Sequence, residues 1–389
     1  MIIDRETNFV YFSSLIKENV KYLPFWKRLE PVLNENRISY GFIENTRNIW
    51  CRDYMPIQKN INEFIQFEYF PDYYLYPKYI AKLTIPSETR IIDKISLKKP
   101  KIIVDGGNII KSKTIAILTD KVLLENSNLD PETVISTFKK ELNVENVFLI
   151  PKAPYEMTGH ADGMVRFINE TDLLVADYSN ESKSWQQKMD KALEKTGLKI
   201  IPYPSEFVKE KNEDGDYVAK GVYINFAQIG YIILLPQFGL EMDNIAIKKT
   251  KELFPECKVI PINSNEIAVD GGVLNCVTWN IQIKTSISFN KLPKQTPSHF
   301  EQEKFVFEKL DFYLSTFDYK VIAKGFEIAW ENNTGGIVGD GDFKNMTYRF
   351  LEQVIEKNHI PQNIVDKTID LILEYMESIG QYGFDISEN

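Results

Sequence analysis

The sequence contains little cysteine and little histidine, three residues of each among 389. The cysteines are odd in number, and no CxxC or HExxH pattern occurs. These shortages argue against a disulfide-built fold, a cysteine-rich zinc site and histidine-based zinc or iron chemistry. Chemistry that uses a thiol or an imidazole must rest on one of Cys51, Cys257, Cys276, His160, His299 and His359.

Long hydrophobic runs are also missing. Apolar stretches such as Tyr231 to Leu235 are far shorter than the ~20 residues of a membrane-spanning helix. Acidic residues, Asp4 and Glu6, stand where a secretory signal carries cationic and then apolar ones. We therefore expect a protein of the reducing cytoplasm with no membrane partner.

Positive charge is not concentrated anywhere. The net charge of −9 belongs to residues 296–389, which hold 17 acidic and 8 basic residues, whereas residues 1–295 hold 38 of each sign. Neither segment has the basic stripe typical of nucleic-acid binding, so no nucleic-acid partner is expected.

The chain divides into two parts with different patterns. Residues 1–292 alternate short strand-like and helix-like stretches, which predicts an α/β domain. Two prolines mark a linker near residue 296. Residues 296–389 show apolar residues at helical spacing and predict an acidic α-helical module. This module either packs or self-associates, giving a homo-oligomer, or it binds a partner or gates a substrate.

Local patterns predict several elements of the first part. Lys101 to Val104, Leu173 to Val175 and Tyr231 to Leu235 are typical of buried strands. Pro131 to Leu142 follows a capping Asp, and Ser182 to Thr196 ends at a glycine, so both predict helices.

An Asp-Gly-Gly tract occurs twice, at Asp105 and at Asp270, each time after apolar residues. Paired glycines let the backbone turn sharply or approach a ligand closely. The two tracts are either unrelated turns or equivalent strand ends of an internal repeat.

Three segments carry side chains suited to chemistry. Cys276 follows a glycine turn, where a thiol can lie near backbone N–H groups, although most free cysteines are small buried hydrophobes. His160 and Asp162 would share one face of a strand, as an acid-base pair or as a polar surface turn. Asp53 either forms an ion pair with Arg52 or provides a carboxylate for a cationic ligand.

In order along the chain these segments form a set: WxRDxxP, DGGN, GHxDxxxRF, YxNF and DGGxxxCxT. Over residues 45–285 this set resembles the agmatine deiminase and bacterial-type peptidylarginine deiminase family, within the guanidino-group-modifying pentein superfamily. The resemblance implies an α/β propeller of five ββαβ units around a central site.

The same resemblance implies the roles of the site residues. Cys276 matches the nucleophile, His160 the catalytic histidine, and Asp53 and Asp162 the carboxylates that bind the guanidinium group. Trp50, Asn225, Gly271 and Gly272 fall in the same motifs and are expected to bind substrate. The implied reaction replaces an amino group of a guanidinium by oxygen through a covalent thiouronium and needs no metal or organic cofactor. The expected partner is a small cationic guanidino compound or an arginine side chain.

Four positions depart from the family pattern: Met55, Ser112, Gly230 and Asn275. Lys113, if it lies near the pocket, would disfavour a cationic substrate tail. Two alternatives to deimination therefore remain, namely amidino transfer to an amine and a binding protein without catalysis on the same scaffold.

Overall fold

The computed structural model describes residues 1–75, 79–89, 91, 95–154, 156–206, 208–283 and 362–378, and six residues between 306 and 326. The chain divides into two compact units, Met1–Lys284 and Thr285–Asn389. The linker predicted over 292–297 lies outside the described residues, as do the helix that the apolar spacing predicts over 343–358 and the glycine-rich segment 334–342 before it, which predicts a loop.

Five three-stranded sheets build the first unit. In every sheet the middle strand pairs antiparallel with one neighbour and parallel with the other. The strands are β1 (Phe9–Ser13), β2 (Ser39–Ile43), β3 (Ile57–Asn60), β4 (Glu63–Ile65), β5 (Ser96–Lys98), β6 (Ile110–Lys111), β7 (Ile115–Thr119), β8 (Asn146–Ile150), β9 (Val165–Phe167), β10 (Asp172–Ala176), β11 (Lys199–Tyr203), β12 (Ala227–Ile229), β13 (Ile232–Gln237), β14 (Lys258–Asn263) and β15 (Trp279–Ile281). The sheet orders are β15-β1-β2, β3-β4-β5, β6-β7-β8, β9-β10-β11 and β12-β13-β14.

Helices lie in the connections between the parallel strands and in some of the connections from one sheet to the next. The α-helices of this unit are α1 (Leu15–Glu18), α2 (Leu23–Glu35), α3 (Cys51–Tyr54), α4 (Lys121–Glu125), α5 (Pro131–Leu142), α6 (Lys183–Glu194), α7 (Met242–Leu253) and α8 (Asn265–Ala268). Short 3-10 helices occur at Asp4–Glu6, Asp72–Leu75, Ile80–Lys82, Pro86–Glu88 and Gly106–Asn108. Four of the five sheets thus have an α-helical crossover, and the described part of the β4–β5 connection is 3-10 helical.

The first sheet is completed from the far end of the unit. β15 pairs antiparallel with β1, with Phe9 opposite Ile281 and Tyr11 opposite Trp279. β1 then runs parallel to β2. The five sheets therefore share one topology, which confirms the predicted five-fold repeat of an α/β unit.

The helix predictions of the first part are confirmed. In α5, Val134, Phe138 and Leu142 are buried at a spacing of four residues, which places them on one face. Asp130 accepts hydrogen bonds from the backbone N–H groups of Glu132 and Thr133, as an N-cap does. α6 likewise begins after the cap Ser182.

Two of the three strand predictions are also confirmed, because β10 contains Leu173 to Val175 and β13 contains Ile232 to Leu235. The prediction for Lys101 to Val104 is wrong. Only Ile103 forms an isolated bridge, to Glu68. The Asn126 side chain takes up both backbone groups of Ile103, accepting from its N–H and donating to its carbonyl, so these groups are not available to a neighbouring strand.

The two Asp-Gly-Gly tracts share a place in the repeat but differ in local structure. Asp105 follows an extended segment, but Asp270 follows α8, and the N–H of Asp270 donates to the carbonyl of Ile267. Gly271 ends this turn with a φ of 90°, in the region that favours glycine. Both tracts nevertheless lie between the parallel edge strand of one sheet and the antiparallel edge strand of the next, β5 to β6 and β14 to β15, so they occupy equivalent connections of the repeat.

The described part of the second unit is helical. The helix α9 (Gln362–Ser378) confirms the helix that the apolar spacing predicts over 361–379. Val365, Thr368, Ile369 and Ile372 are buried along it, at the spacing of one helical face. Among the helices that the structure describes, none is both long and apolar enough to cross a membrane.

Candidate active site

A cavity of about 820 Å³ opens within the first unit. It brings together segments that lie more than 200 residues apart in the sequence. Its lining includes all eight predicted site residues, Trp50, Asp53, His160, Asp162, Asn225, Gly271, Gly272 and Cys276.

Loops and short turns carry these residues, and backbone hydrogen bonds join the turns. The N–H of Arg52 donates to the carbonyl of Cys276 at 3.1 Å, and that of Asp162 donates to the carbonyl of Gly107 at 3.1 Å. The N–H of Asn275 donates to the carbonyl of Asn225 at 3.0 Å. Function-bearing loops are thus fixed to each other as well as to the sheets.

Cys276 is partly exposed in the cavity, with an amide and a carboxylate beside its sulfur. Its Sγ lies 3.3 Å from Asn225 Oδ1 and 3.7 Å from Asp162 Oδ2. Burial raises the pKa of this thiol well above its usual value, and the charges of Asp162 and Asp53 raise it further. The thiol is therefore protonated at neutral pH in the absence of a bound cationic ligand.

Asn275 holds the carboxylate of Asp162 in place. Its Nδ2 donates to Asp162 Oδ2 at 2.8 Å, and both side chains are buried. This position, which the sequence marks as a departure from the family pattern, is thus in direct contact with a predicted site residue. A neutral amide donor orients the carboxylate without cancelling its charge.

His160 lies between two carboxylates. Its Nε2 is 2.7 Å from Asp105 Oδ2, and its Nδ1 is 3.5 Å from Asp53 Oδ1. Burial lowers the pKa of the imidazole, but Asp53 and Asp105 outweigh burial and raise this pKa to about 10. His160 is therefore an imidazolium at neutral pH and can donate a proton.

Asp53 does not form an ion pair with Arg52. The Arg52 guanidinium donates instead to the Asn275 carbonyl and to Asn280 Oδ1. Asp53 Oδ1 accepts the N–H of Gly107 at 3.1 Å. Burial first, and then the charge of Asp105, raises the pKa of Asp53 to about 7, although His160 acts in the opposite direction. The structure thus favours the second interpretation, a carboxylate that faces the cavity.

The strand geometry expected for His160 and Asp162 is wrong. Both lie in a turn before β9, where the N–H of Met164 donates to the carbonyl of Ala161. Ala161, between them, is fully buried, while the side chains of His160 and Asp162 both reach the same cavity.

Gly107 is packed closely against the site. A Cβ at this position would lie 2.5 Å from Asp53 Oδ1 and 2.7 Å from His160 Nδ1. Gly163 provides a contrast, since its Cβ would meet only Val222 Cγ1, at 3.7 Å.

Gly107→Ala is therefore expected to displace Asp53 and His160 while leaving the fold intact. A displacement of this kind costs about 100-fold in turnover of a bound substrate. Gly163→Ala is expected to change turnover little. Steady-state kinetics of both variants, with thermal melting as a check on folding, test this pair; equal turnover in the two variants would contradict it.

Trp50 depends on a glycine in the same way. A Cβ on Gly272 would lie 2.5 Å from the Trp50 ring, so only glycine lets the indole lie against this turn. Both predicted substrate-binding residues therefore help to form one wall of the cavity.

Asp105 is the site residue that sequence reasoning missed. The Asp-Gly-Gly tract that contains it was recognised, but nothing local shows that its carboxylate meets His160, 55 residues further on. Tyr73 donates to the same Asp105 oxygen at 3.0 Å. The tract is visible in the sequence, but its glycines indicate only a turn and do not show that Asp105 contributes a carboxylate to the site.

Lys113 does not reach the cavity. Its Nζ binds Glu6 and the carbonyl of Met1, and Ser112 next to it is buried against Glu170. The expected repulsion of a cationic tail by Lys113 therefore does not arise. In the part of the chain that the structure describes, no three His, Cys, Asp or Glu side chains are grouped so as to hold a metal ion.

The comparisons with known proteins all indicate one family. The model of the Porphyromonas-type peptidyl-arginine deiminase family matches residues 22–281. A candidate agmatine deiminase of Streptococcus mutans is 26% identical over 213 residues, covering 47% of this chain and 58% of the relative. One from Selenomonas ruminantium is 27% identical over 211 residues, covering 46% and 57%. The chain thus spans somewhat over half the length of the curated relatives it matches.

Solved structures show the same fold. The agmatine deiminase of C. jejuni superposes with a TM-score of 0.59 at 18% identity, covering 73% of this chain and 95% of that one. A candidate arginine deiminase of Porphyromonas gingivalis gives 0.57 at 19% identity, covering 72% and 97%. The predicted five-unit α/β propeller is thereby confirmed.

Proposed function

Since the chain belongs to the Porphyromonas-type peptidyl-arginine deiminase family, we propose that it is a hydrolase that deiminates a guanidino group and releases ammonia and a ureido product. The observation that carries this proposal is one cavity containing a thiol, two carboxylates and a histidine backed by a third carboxylate. No other constellation among the described residues combines these groups.

The carboxylates fit a guanidinium ion. A guanidinium is planar and presents N–H donors in a fixed fork, which suits carboxylates at its edges. Asp53 and Asp162 line the same cavity, and Asn275 already holds one oxygen of Asp162. A guanidinium bound to both would offset their charge and place its central carbon near Cys276.

Binding of a cation also promotes ionisation of the Cys276 thiol. The Asp162 and Asp53 charges are among the causes that hold the Cys276 thiol protonated, so a cation bound to them lowers the pKa of that thiol. The free protein then holds an unreactive thiol, and the bound substrate promotes loss of the thiol proton to solvent, which leaves the thiolate. This order restricts reaction to compounds that bring a positive charge into the cavity.

Two half-reactions complete the cycle. The thiolate attacks the guanidinium carbon and forms a tetrahedral adduct. His160 donates a proton to the departing amino group, the C–N bond breaks, and ammonia leaves a thiouronium on Cys276. The neutral His160 then takes a proton from water, which adds to the same carbon. The C–S bond breaks and the remaining hydroxyl proton passes to solvent, giving the neutral ureido product and the thiolate. None of these steps requires a metal or an organic cofactor.

A screen of guanidino compounds tests this function. Purified full-length protein is incubated with agmatine, arginine and an arginine-containing peptide, and ammonia and ureido product are measured. Stoichiometric formation of both supports deimination. Guanidino products that form only when glycine or ornithine is added would indicate amidino transfer instead. Binding of guanidino compounds without either product would indicate a binding protein.

A further inference from the structure

A buried ion cluster adjoins Asp105. Lys121, the first residue of α4, has a side chain only 3% exposed. Its Nζ lies 3.1 Å from Asp72, 2.9 Å from Glu125 and 3.8 Å from Asp105 Oδ2. Among the described residues Lys121 does not line the cavity, so it is not placed to touch a substrate.

Asp105 Oδ2 connects this cluster to the histidine. The same oxygen meets His160 Nε2, the Tyr73 hydroxyl and Lys121 Nζ. The other oxygen, Oδ1, is buried and has no hydrogen-bond partner in the described part of the chain. The charge of Asp105 is therefore balanced by His160 on one side and Lys121 on the other.

Burial of the Lys121 ammonium group costs free energy. An ammonium removed from water is stabilised only by close opposite charges. Burial lowers the pKa of Lys121, but Asp105 and Glu125 more than compensate and raise it. Glu125 shows the complementary effect, since burial and then the charge of Asp105 raise its pKa to about 7. A neutral residue at 121 would leave Asp105 without a second counter-ion.

We propose that Lys121 is a positioning residue for the reaction, which holds the Asp105 carboxylate in place behind His160, while Glu125, one helical turn away, partly offsets the lysine charge. The proposal rests on the proposed deiminase function for its kinetic part. The reaction needs such a partner because His160 loses its proton when ammonia departs. At that moment Asp105 faces a neutral imidazole, and Lys121 remains as its cation.

The sign of the effect follows from the charges around each group. His160 faces Asp53, Asp105 and Tyr73, with Asp162 acting at longer range. Lys121 faces Asp72, Asp105 and Glu125, with the Tyr73 ring 4.8 Å from its Nζ. Removing the Lys121 charge makes the surroundings of His160 more negative, so the imidazolium persists to higher pH. Removing the Glu125 charge acts in the opposite direction.

The test is a nitrogen-15 NMR titration of the full chain, which contains three histidines. His160 is assigned by the loss of its signal in His160→Gln. Lys121→Met is expected to raise the titration midpoint of His160 by about one pH unit, which makes His160 a roughly tenfold weaker acid. Glu125→Gln is expected to lower the midpoint. Lys121→Arg keeps the positive charge and is expected to leave the midpoint at the value of the unaltered protein. Lys59→Met removes another i,i+4 ion pair, with Glu63, and is expected to leave the midpoint unchanged.

The double variant Lys121→Met/Glu125→Gln guards against misfolding, because it leaves no unpaired Glu125 charge. Its midpoint is expected to stay above that of the unaltered protein, since Lys121 is the member of the pair that contacts Asp105. An unchanged midpoint in folded Lys121→Met or in the double variant, or shifts of equal sign in Lys121→Met and Glu125→Gln, would overturn the proposal.

Kinetics separate this inference from the proposed function. If the chain turns over a guanidino compound, the pH profile of kcat/KM is expected to move with the NMR midpoint in each variant. If the midpoints shift as expected but no variant, nor the unaltered chain, turns over any guanidino compound, the deiminase function fails while the effect of Lys121 on His160 stands.

Discussion

Cys276→Ala is expected to abolish turnover of every guanidino compound, by about 10⁴-fold or more, as for other enzymes that lose their nucleophile. The thiol sulfur is the only protein group in the proposed cycle that bonds to the guanidinium carbon, so no neighbouring side chain can replace it. The free energy of unfolding is expected to change by less than about 1 kcal/mol, because Cys276 is partly exposed and its removal leaves no buried charge unpaired. Product formation and thermal melting measure the two effects.

Cys257→Ala provides the matched control. Cys257 is also a partly buried free cysteine, but it does not line the cavity. Its variant should keep full turnover. Chloroacetamidine, a cationic alkylating agent, should label Cys276 faster than neutral chloroacetamide at pH 7, because the carboxylates attract the amidinium. Retained turnover in Cys276→Ala, or equal labelling rates by the two agents, would argue against a cation-activated nucleophile.

Asp162→Asn is expected to move two rates in opposite directions. Guanidine turnover should fall about 100-fold, since a charged hydrogen bond to the substrate is lost. Labelling of Cys276 by neutral chloroacetamide should rise about tenfold, because a carboxylate 3.7 Å from the sulfur no longer raises the pKa of the thiol. The substitution keeps an oxygen that can accept from Asn275, so the fold is expected to persist.

This pair of effects distinguishes a charge effect from general damage. A distorted site would slow both reactions, or expose the thiol to both agents without regard to charge. Asp172→Asn, at the start of β10 and outside the cavity, is the matched control and should change neither rate. The pH profile gives a further check: the neutral agent should react with the unaltered protein only as pH rises towards the raised pKa of Cys276, and at lower pH in Asp162→Asn.

The local elements were predictable because their causes are local. The buried spacing along α5, its Asp130 cap and the run of apolar residues in β10 are set by neighbours within a few residues. The failures arise where a distant side chain or a turn intervenes. Asn126 occupies the backbone of Ile103, and the turn after α8 replaces the strand expected before Asp270.

The sequence predicted eight residues of the candidate site, but not Asp105 and not the contacts. The eight could be identified because their motifs occur in a fixed order, and all eight line one cavity. The histidine shortage also helped, since it left few candidates. The contact of His160 with Asp105 could not be found, because it joins residues 55 positions apart through a turn whose sequence specifies only glycine.

The sequence alone therefore determined the alternation of strands and helices, the family resemblance and eight candidate site residues, since residue type, local spacing and motif order carry that information. Only the tertiary structure decided the charge states and the partners. Whether Cys276 is a thiol, whether His160 is an imidazolium and whether Lys121 bears on the site all depend on burial and on charges brought within a few ångströms. Those distances arise from the packing of five sheets and their loops, and electrostatic energy depends on distance in space rather than on separation along the chain.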